Sequence, residues 1–331
     1  MERFALAAAV VLGFALTAAL CSLFVPLRRV LERREQNQQP VQSEQPRPAP
    51  LRAPLWGGLC AAAGTVAAVG VGWLAACVGQ PELLGSEGRL MTRLLTALAG
   101  SLAFGAVGLA EDLARMRSPA ALGLRRDVRL LLEALAAAFV LLLLQAAGCL
   151  PRGLDVPGAG YVLLGSAVPF LWAVLMVALA ECARIAERDE GTVCGAAFVA
   201  MLALMMAEAG LGVPGLAVLP AALAGALVAL LLWAFPPARL GVGCCGSLLA
   251  AGAIGCIPLS LDMTSLTVPL ALPFWAAGGL LAAQLLSAKR TGKPLRCWVK
   301  KHKMSPETVF LCSFALSAVG YVLALALLRW C

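Results

Sequence analysis

Ten apolar runs, each close to the length that crosses a bilayer, dominate the 331-residue chain; they lie at about 4–25, 57–78, 91–110, 128–148, 161–182, 193–209, 213–234, 246–264, 267–287 and 308–329. Roughly 20 apolar residues in a helix span about 30 Å of hydrocarbon, and lipid tolerates no unpaired backbone polar groups. A chain built this way folds as a bundle of helices or not at all. Its 61% apolar content and mean hydropathy of +0.88 exclude a soluble globular domain. The expected fold is an all-α polytopic membrane protein, a single transmembrane domain over 1–331 with about ten helices.

The formal net charge of +8 reads as topology, not as nucleic-acid binding. Five alternate loops, at about 26–56, 111–127, 183–192, 235–245 and 288–307, hold 6, 5, 2, 1 and 7 of the 26 Lys and Arg residues, with Arg129 counted beside the second. The opposite side keeps only Arg3, Arg89, Arg93, Arg152 and Arg329. Positive loops stay cytoplasmic, so both termini are expected outside. Arg28, Arg29, Arg33 and Arg34 follow the first run and no small-x-small site closes it, which reads as an uncleaved span. The 12 cysteines are mostly scattered singly through apolar runs without zinc spacing, as small buried thiols would be.

Chemistry is confined to the positive loops. Glu111-Asp112 with Arg115 ends the third run: adjacent carboxylates there either form a solvated helix cap or hold a hard cation, and Arg115 lies one turn from Glu111. Gly123-Leu124 leads to Arg129 and Glu133, an i,i+4 pair entering a span. Glu181, Arg184, Glu187, Arg188, Asp189 and Glu190 cluster after the fifth run, either as a solvated loop or as part of a site. Phe235-Pro-Pro-Ala-Arg-Leu-Gly-Val-Gly-Cys-Cys-Gly-Ser-Leu248 reads as a loop at the membrane surface, with glycines that let a ligand approach and no carboxylate. Lys293 and His302, the sole histidine, lie in a strongly basic last loop suited to anionic head groups or substrates.

In this order and on these loops, the segments resemble the polyprenyl-phosphate sugar-1-phosphate transferases, above all the MraY-type phospho-N-acetylmuramoyl-pentapeptide transferases of peptidoglycan synthesis. Pro54-Leu-Trp-Gly-Gly58 is similar to that family's Pro-Thr-Met-Gly-Gly, and Glu111-Asp112 with Arg115 to its Asp-Asp-x-x-Lys. Gly123-Leu124 and Arg129 match Gly-Leu-x-x-x-x-Lys, with Glu133 near a Gln. Pro237 to Ser247 resembles Pro-Ala-Lys-Val-Phe-Met-Gly-Asp-x-Gly-Ser, Thr291-Gly-Lys293 matches Thr-Gly-Lys, and His302 falls on the first of three histidines.

The resemblance implies an enzyme of the bacterial cytoplasmic membrane. It would move a sugar-1-phosphate from a UDP-activated amino sugar to polyprenyl phosphate, with Mg²⁺ as cofactor; homodimers occur in the family. Carried over residue by residue, it implies catalytic roles for Glu111, Asp112, Glu190 and His302. Arg115, Arg129, Lys293 and Ser247 would bind substrate, and Asp112 and Glu190 would hold metal. This chain departs at the Asp of Met-Gly-Asp, the family's magnesium ligand, which is Cys244, and at two asparagines, which are Arg184 and Glu187. A thiol is a soft ligand poorly matched to magnesium. The alternative expectation is therefore a pseudoenzyme, a scaffold or lipid-phosphate binder. The charge asymmetry predicts that alkaline phosphatase fused after residue 331 is active in cells, and that a fusion within 292–304 is not.

Overall fold

The computed structural model describes residues 2–38, 56–79, 88–117, 123–151, 153–156, 160–163, 165, 167–187, 191–212, 215–236, 238–291 and 305–328. Its helices are α1 (Glu2–Gln38), α2 (Gly57–Gly79), α3 (Gly88–Arg117), α4 (Arg126–Ala146), α5 (Ala167–Ala186), α6 (Thr192–Gly210), α7 (Val218–Ala234), α8 (Gly243–Ser260), α9 (Thr267–Leu270), α10 (Leu272–Thr291) and α11 (Pro306–Leu328). Among the described residues seven helices are long and apolar enough to cross a membrane, and one bent pair would make an eighth. The all-α membrane bundle expected from the apolar runs is thus present. The runs overlap helices, although α7 has only 17 residues, α4 carries Arg129 and Glu133 inside it, and the ninth run is divided between two helices.

Three boundaries differ from the sequence expectation. The start of the fifth run, 161–163, is a strand: Gly160–Leu163 pairs antiparallel with Gly153–Val156 in a two-stranded hairpin, with Gly153 opposite Leu163. Positive φ at Gly160 and Gly165 turns the backbone out of helical geometry on both sides of that strand, and α5 begins only at Ala167. The ninth run is broken, with a 62° bend between Thr264–Leu270 and Leu272–Ala283. Pro273 causes no loss there because, one residue into α10, its missing N–H would have had no intrahelical partner. Residues 243–245, read as loop, already belong to α8.

Helix α8 is the axis of the bundle, since all 18 of its residues are buried. Its sequence explains the position: it has no charged side chain, and Gly, Ala, Cys and Ser make up most of it. With lipid as apolar as any neighbour, helices associate where small residues let backbones meet. Helices α3 and α8 meet backbone to backbone, where Gly108 lies against the Cys244 carbonyl and leaves no room for a Cβ. Helix α2 packs beside it, and α1 and α7 pack on α2 and on each other, with Gly64 on Thr17 and Gly72 on Ala9 setting α1 and α2 in antiparallel register.

The turn before α8 is held from two sides. Arg239 and Leu240 donate their backbone N–H groups to the Trp233 carbonyl of α7 at 2.8 and 3.1 Å. Gly57 and Gly58 at the start of α2 donate theirs to the carbonyls of Gly241 and Val242 at 3.2 and 2.9 Å. Otherwise orphaned amides of α2 are thereby satisfied by the very turn they position. Because Gly108 faces backbone that cannot swing away, Gly108→Val should lower stability by about 3 kcal/mol. Gly279→Ala, which meets nothing within 4 Å, should shift it by less than about 0.5 kcal/mol; thermal unfolding in detergent measures both.

Candidate functional site

Four helix ends meet around a buried ion-pair network. The end of α3 supplies Glu111, Asp112 and Arg115; the start of α4 supplies Arg129 and Glu133; the end of α5 supplies Glu181 and Arg184, with Glu187 just beyond; the start of α8 supplies Cys244. Because α3 stays helical to Arg117, Glu111 and Arg115 stack one turn apart on one face.

Asp112 is the keystone. Its two carboxylate oxygens accept the backbone N–H groups of Cys244 at 3.0 Å and Cys245 at 2.9 Å. These amides belong to the first turn of α8, whose N-terminus lacks a cap of its own. A carboxylate at a helix N-terminus meets both the unpaired N–H groups and the positive end of the dipole. Here that carboxylate comes from another helix, and at 1% exposure it does so away from solvent.

Two guanidiniums organise the remaining acids. Arg115 Nη2 lies 2.7 Å from Glu111 Oε1, while its Nη1 lies 3.9 Å from Asp112 Oδ1 and 3.8 Å from Glu187 Oε2. Arg129 Nε donates to Glu181 Oε1 at 2.7 Å and lies 3.9 Å from Glu133 Oε1; its Nη1 lies 3.7 Å from Glu111 Oε1. Arg184 donates to the second oxygen of Glu181 at 2.7 Å. Glu111 Oε1 therefore lies between Arg115 and Arg129, and Glu181 bridges Arg129 and Arg184. A planar fork of donors suits such sharing better than an ammonium would. The Cys244 thiol donates to Glu187 Oε2 at 3.5 Å.

Residues 94–262 match the model of glycosyl transferase family 4. That stretch contains every member of the network. The chain belongs to this family. It is similar to the phospho-N-acetylmuramoyl-pentapeptide-transferase of Mycobacterium tuberculosis, 28% identical over 265 residues covering 72% of each chain. The protein of that name from Synechococcus is 31% identical over 212 residues, 63% of this chain and 55% of its own. The one from Geobacillus kaustophilus is 25% identical over 296 residues, 88% of this chain and 86% of its own.

Of the family-matched positions, Glu111, Asp112, Arg115, Arg129 and Cys244 converge at one end of the bundle. Ser247 does not contribute a free hydroxyl: it is buried, and its Oγ–H donates to the Cys244 carbonyl at 3.1 Å. Glu190, Lys293 and His302 lie outside the described residues. Sequence reading paired Arg129 with Glu133, but its short contact is to Glu181, 52 positions away. Only tertiary packing creates that pair, and no local spacing announces it. The magnesium ion that the family resemblance implies does not fit the described donors. A hard cation needs several oxygens with free lone pairs, whereas Asp112 holds two amides, one oxygen each of Glu111 and Glu187 faces Arg115, Cys244 offers sulfur, and Glu111 Oε2 is left as a single buried oxygen with no hydrogen-bond partner. Among the described residues no group of three His, Cys, Asp or Glu side chains is placed to hold a metal.

Glu133 is fully buried and neither of its oxygens has a hydrogen-bond partner, so Arg129 is its compensating charge. Arg129→Ala strands that carboxylate together with Glu181 and should cost about 3 kcal/mol or more. Arg125→Ala removes only a 4.0 Å pair with Asp127 whose side chains are 86% and 87% exposed, and should cost under about 0.5 kcal/mol. The thermal midpoints of the two variants in detergent check the contrast.

Proposed function

We propose that this chain transfers a sugar-1-phosphate from a UDP-activated amino sugar, of the phospho-N-acetylmuramoyl-pentapeptide kind, to polyprenyl phosphate at the cytoplasmic face of a bacterial inner membrane. The observation that carries the reading is the convergence of family positions Glu111, Asp112, Arg115 and Arg129 on the N-terminus of α8. The positive loops favour a cytoplasmic setting for that end of the bundle. In the reaction a phosphate oxygen of the lipid attacks the phosphorus that bears the sugar in the sugar nucleotide. The bond from that phosphorus to the bridging oxygen breaks, and UMP leaves with the electron pair. Such a transfer depends on alignment and on neutralising the developing charge, with little covalent work for the protein.

Each residue then has a part. Asp112 fixes the first turn of α8, and with it the floor of the site. Arg115 and Arg129 exchange carboxylate oxygens for diphosphate oxygens when substrate arrives, since both anions suit the same fork. Cys244 takes no proton in this scheme and only shapes the floor. A second reading is favoured by one specific observation: Arg115, Arg129 and Arg184 are all paired with acids inside the site. A chain that has lost turnover could keep this closed network and act as a lipid-phosphate binder or scaffold.

Purified protein given undecaprenyl phosphate and a UDP-activated muramoyl-pentapeptide should release UMP. The Asp112→Ala variant, checked for folding by size-exclusion chromatography, should be slower by about a hundredfold or more. Absence of UMP above that control across several UDP-sugars would sink the transferase. Polyprenyl phosphate co-purifying with such an inactive protein would establish the second reading.

A further inference from the structure

Helices α1 and α2 run antiparallel along a seam of small residues. Thr17 faces Gly64 and Ala9 faces Gly72, and a Cβ at Gly64 would lie 3.2 Å from the Thr17 backbone nitrogen. One turn further toward the end that carries the site, the same register sets Cys21 opposite Cys60. Just beyond them Phe24 stacks on Trp56, with ring centroids 5.6 Å apart. The Cys21 and Cys60 thiols hydrogen-bond to each other, and both residues are buried.

This pair stands at the root of the turn before α8. Cys60 donates its backbone N–H to the Trp56 carbonyl at 3.1 Å, in the same first turn of α2 whose Gly57 and Gly58 hold the Gly241 and Val242 carbonyls. Gly58 also meets the backbone of Cys245 and Gly246 too closely to carry a side chain. A shift of that first turn is therefore passed to the start of α8, where Asp112 caps Cys245. Cys194 lies near Cys21, and Cys245 near Cys60, close enough to act on them electrostatically. Among the described residues no three His, Cys, Asp or Glu side chains are placed to hold a metal, so the chemistry open to these thiols is pairwise.

We propose that Cys21 and Cys60 are an oxidation site, where a hydroperoxide forms a reversible disulfide between α1 and α2 and so shifts the start of α8. One sulfur attacks a peroxide oxygen; the O–O bond breaks, a sulfenic acid forms, and the departing hydroxide leaves as water with the thiol proton. The other sulfur then attacks the sulfenic sulfur; the S–O bond breaks, and hydroxide leaves with the second thiol proton as another water. The two thiols lose two electrons and the peroxide gains them.

Apolar surroundings disfavour the thiolate and slow the first step. Hydrogen peroxide is nevertheless small and uncharged, and Cys60 lies only about one turn, roughly 5 Å, inside α2. The facing thiol makes the second step intramolecular, which stops oxidation at the disulfide. A bridge needs Cα atoms within about 7 Å, and helices whose backbones touch one turn away are suited to it. A bond in place of the thiol contact draws the first turn of α2 toward α1 and loosens its hold on the 241–242 turn.

Full-length protein in detergent, treated with hydrogen peroxide and alkylated after denaturation, is mapped by mass spectrometry. The expected product is one peptide pair joined through Cys21 and Cys60, two hydrogens lighter than the free pair and separated by dithiothreitol. Both thiols still alkylated after peroxide, or Cys60 joined to Cys245 instead, would overturn the proposal. Amide hydrogen exchange over 242–248 should quicken at least about fivefold in the oxidised protein and return on reduction. Cys21→Ala should show no change under the same treatment. Exchange unaltered by the bridge overturns the coupling to α8. The consequence for activity rests on the transferase reading: UMP release should fall on oxidation in wild type and not in Cys21→Ala. No UMP from the reduced wild type counts against that reading alone, since the mapping and the exchange decide the oxidation site without it.

Discussion

Everything at the functional end of this protein depends on one carboxylate. Asp112 belongs to α3 yet caps α8, and no residue nearer in sequence satisfies those two amides. Helix α8 is buried from end to end, so its first turn has no recourse to water. An orphan N–H in that setting would cost about 1–3 kcal/mol. The cap fixes how far α8 projects, and therefore where Cys244 lies relative to the arginines. The same approach explains why Gly108 has no side chain: the backbones of α3 and α8 must come close enough for Asp112 to reach.

Around that fixed point the protein resolves a charge problem that lipid makes severe. Five acids and three arginines share a small volume, some of them buried as completely as any leucine. Isolated, each buried charge would be costly; paired and shared, the desolvation is offset by contacts that link four helix ends. The network is thus both a fastener and a site. Its guanidiniums hold α3, α4 and α5 together, and the same forks are what an anionic substrate would engage.

The glycosyl transferase family 4 match covers the stretch from α3 through α8, and the departures at Glu111, Arg184, Glu187 and Cys244 fall inside the network. They are not independent of one another. A thiol at Cys244, an arginine at 184 and a glutamate at 111 share a single neighbourhood in which fixed positive charge meets extended carboxylates.

Much of the fold was legible in the sequence. Apolar runs of bilayer length leave only helices as a solution, so element type and order followed from solvation, and motif spacing marked the helix ends that carry chemistry. Glu111 and Arg115 were readable as a pair because one helical turn separates them. Local signals failed where the partner is distant. The cap from Asp112 to Cys244 and Cys245, the pairing of Arg129 with Glu181, and the start of α8 at Gly243 rather than at 246 all needed tertiary structure. The strand Gly160–Leu163, paired with Gly153–Val156, was likewise hidden in an apolar stretch whose glycines turn it away from helix. The sequence determined that the chain is a membrane bundle with its chemistry at one end, because burial in lipid depends on composition and period. Only the tertiary structure decided which charge answers which, because a salt bridge depends on distance in space and not along the chain.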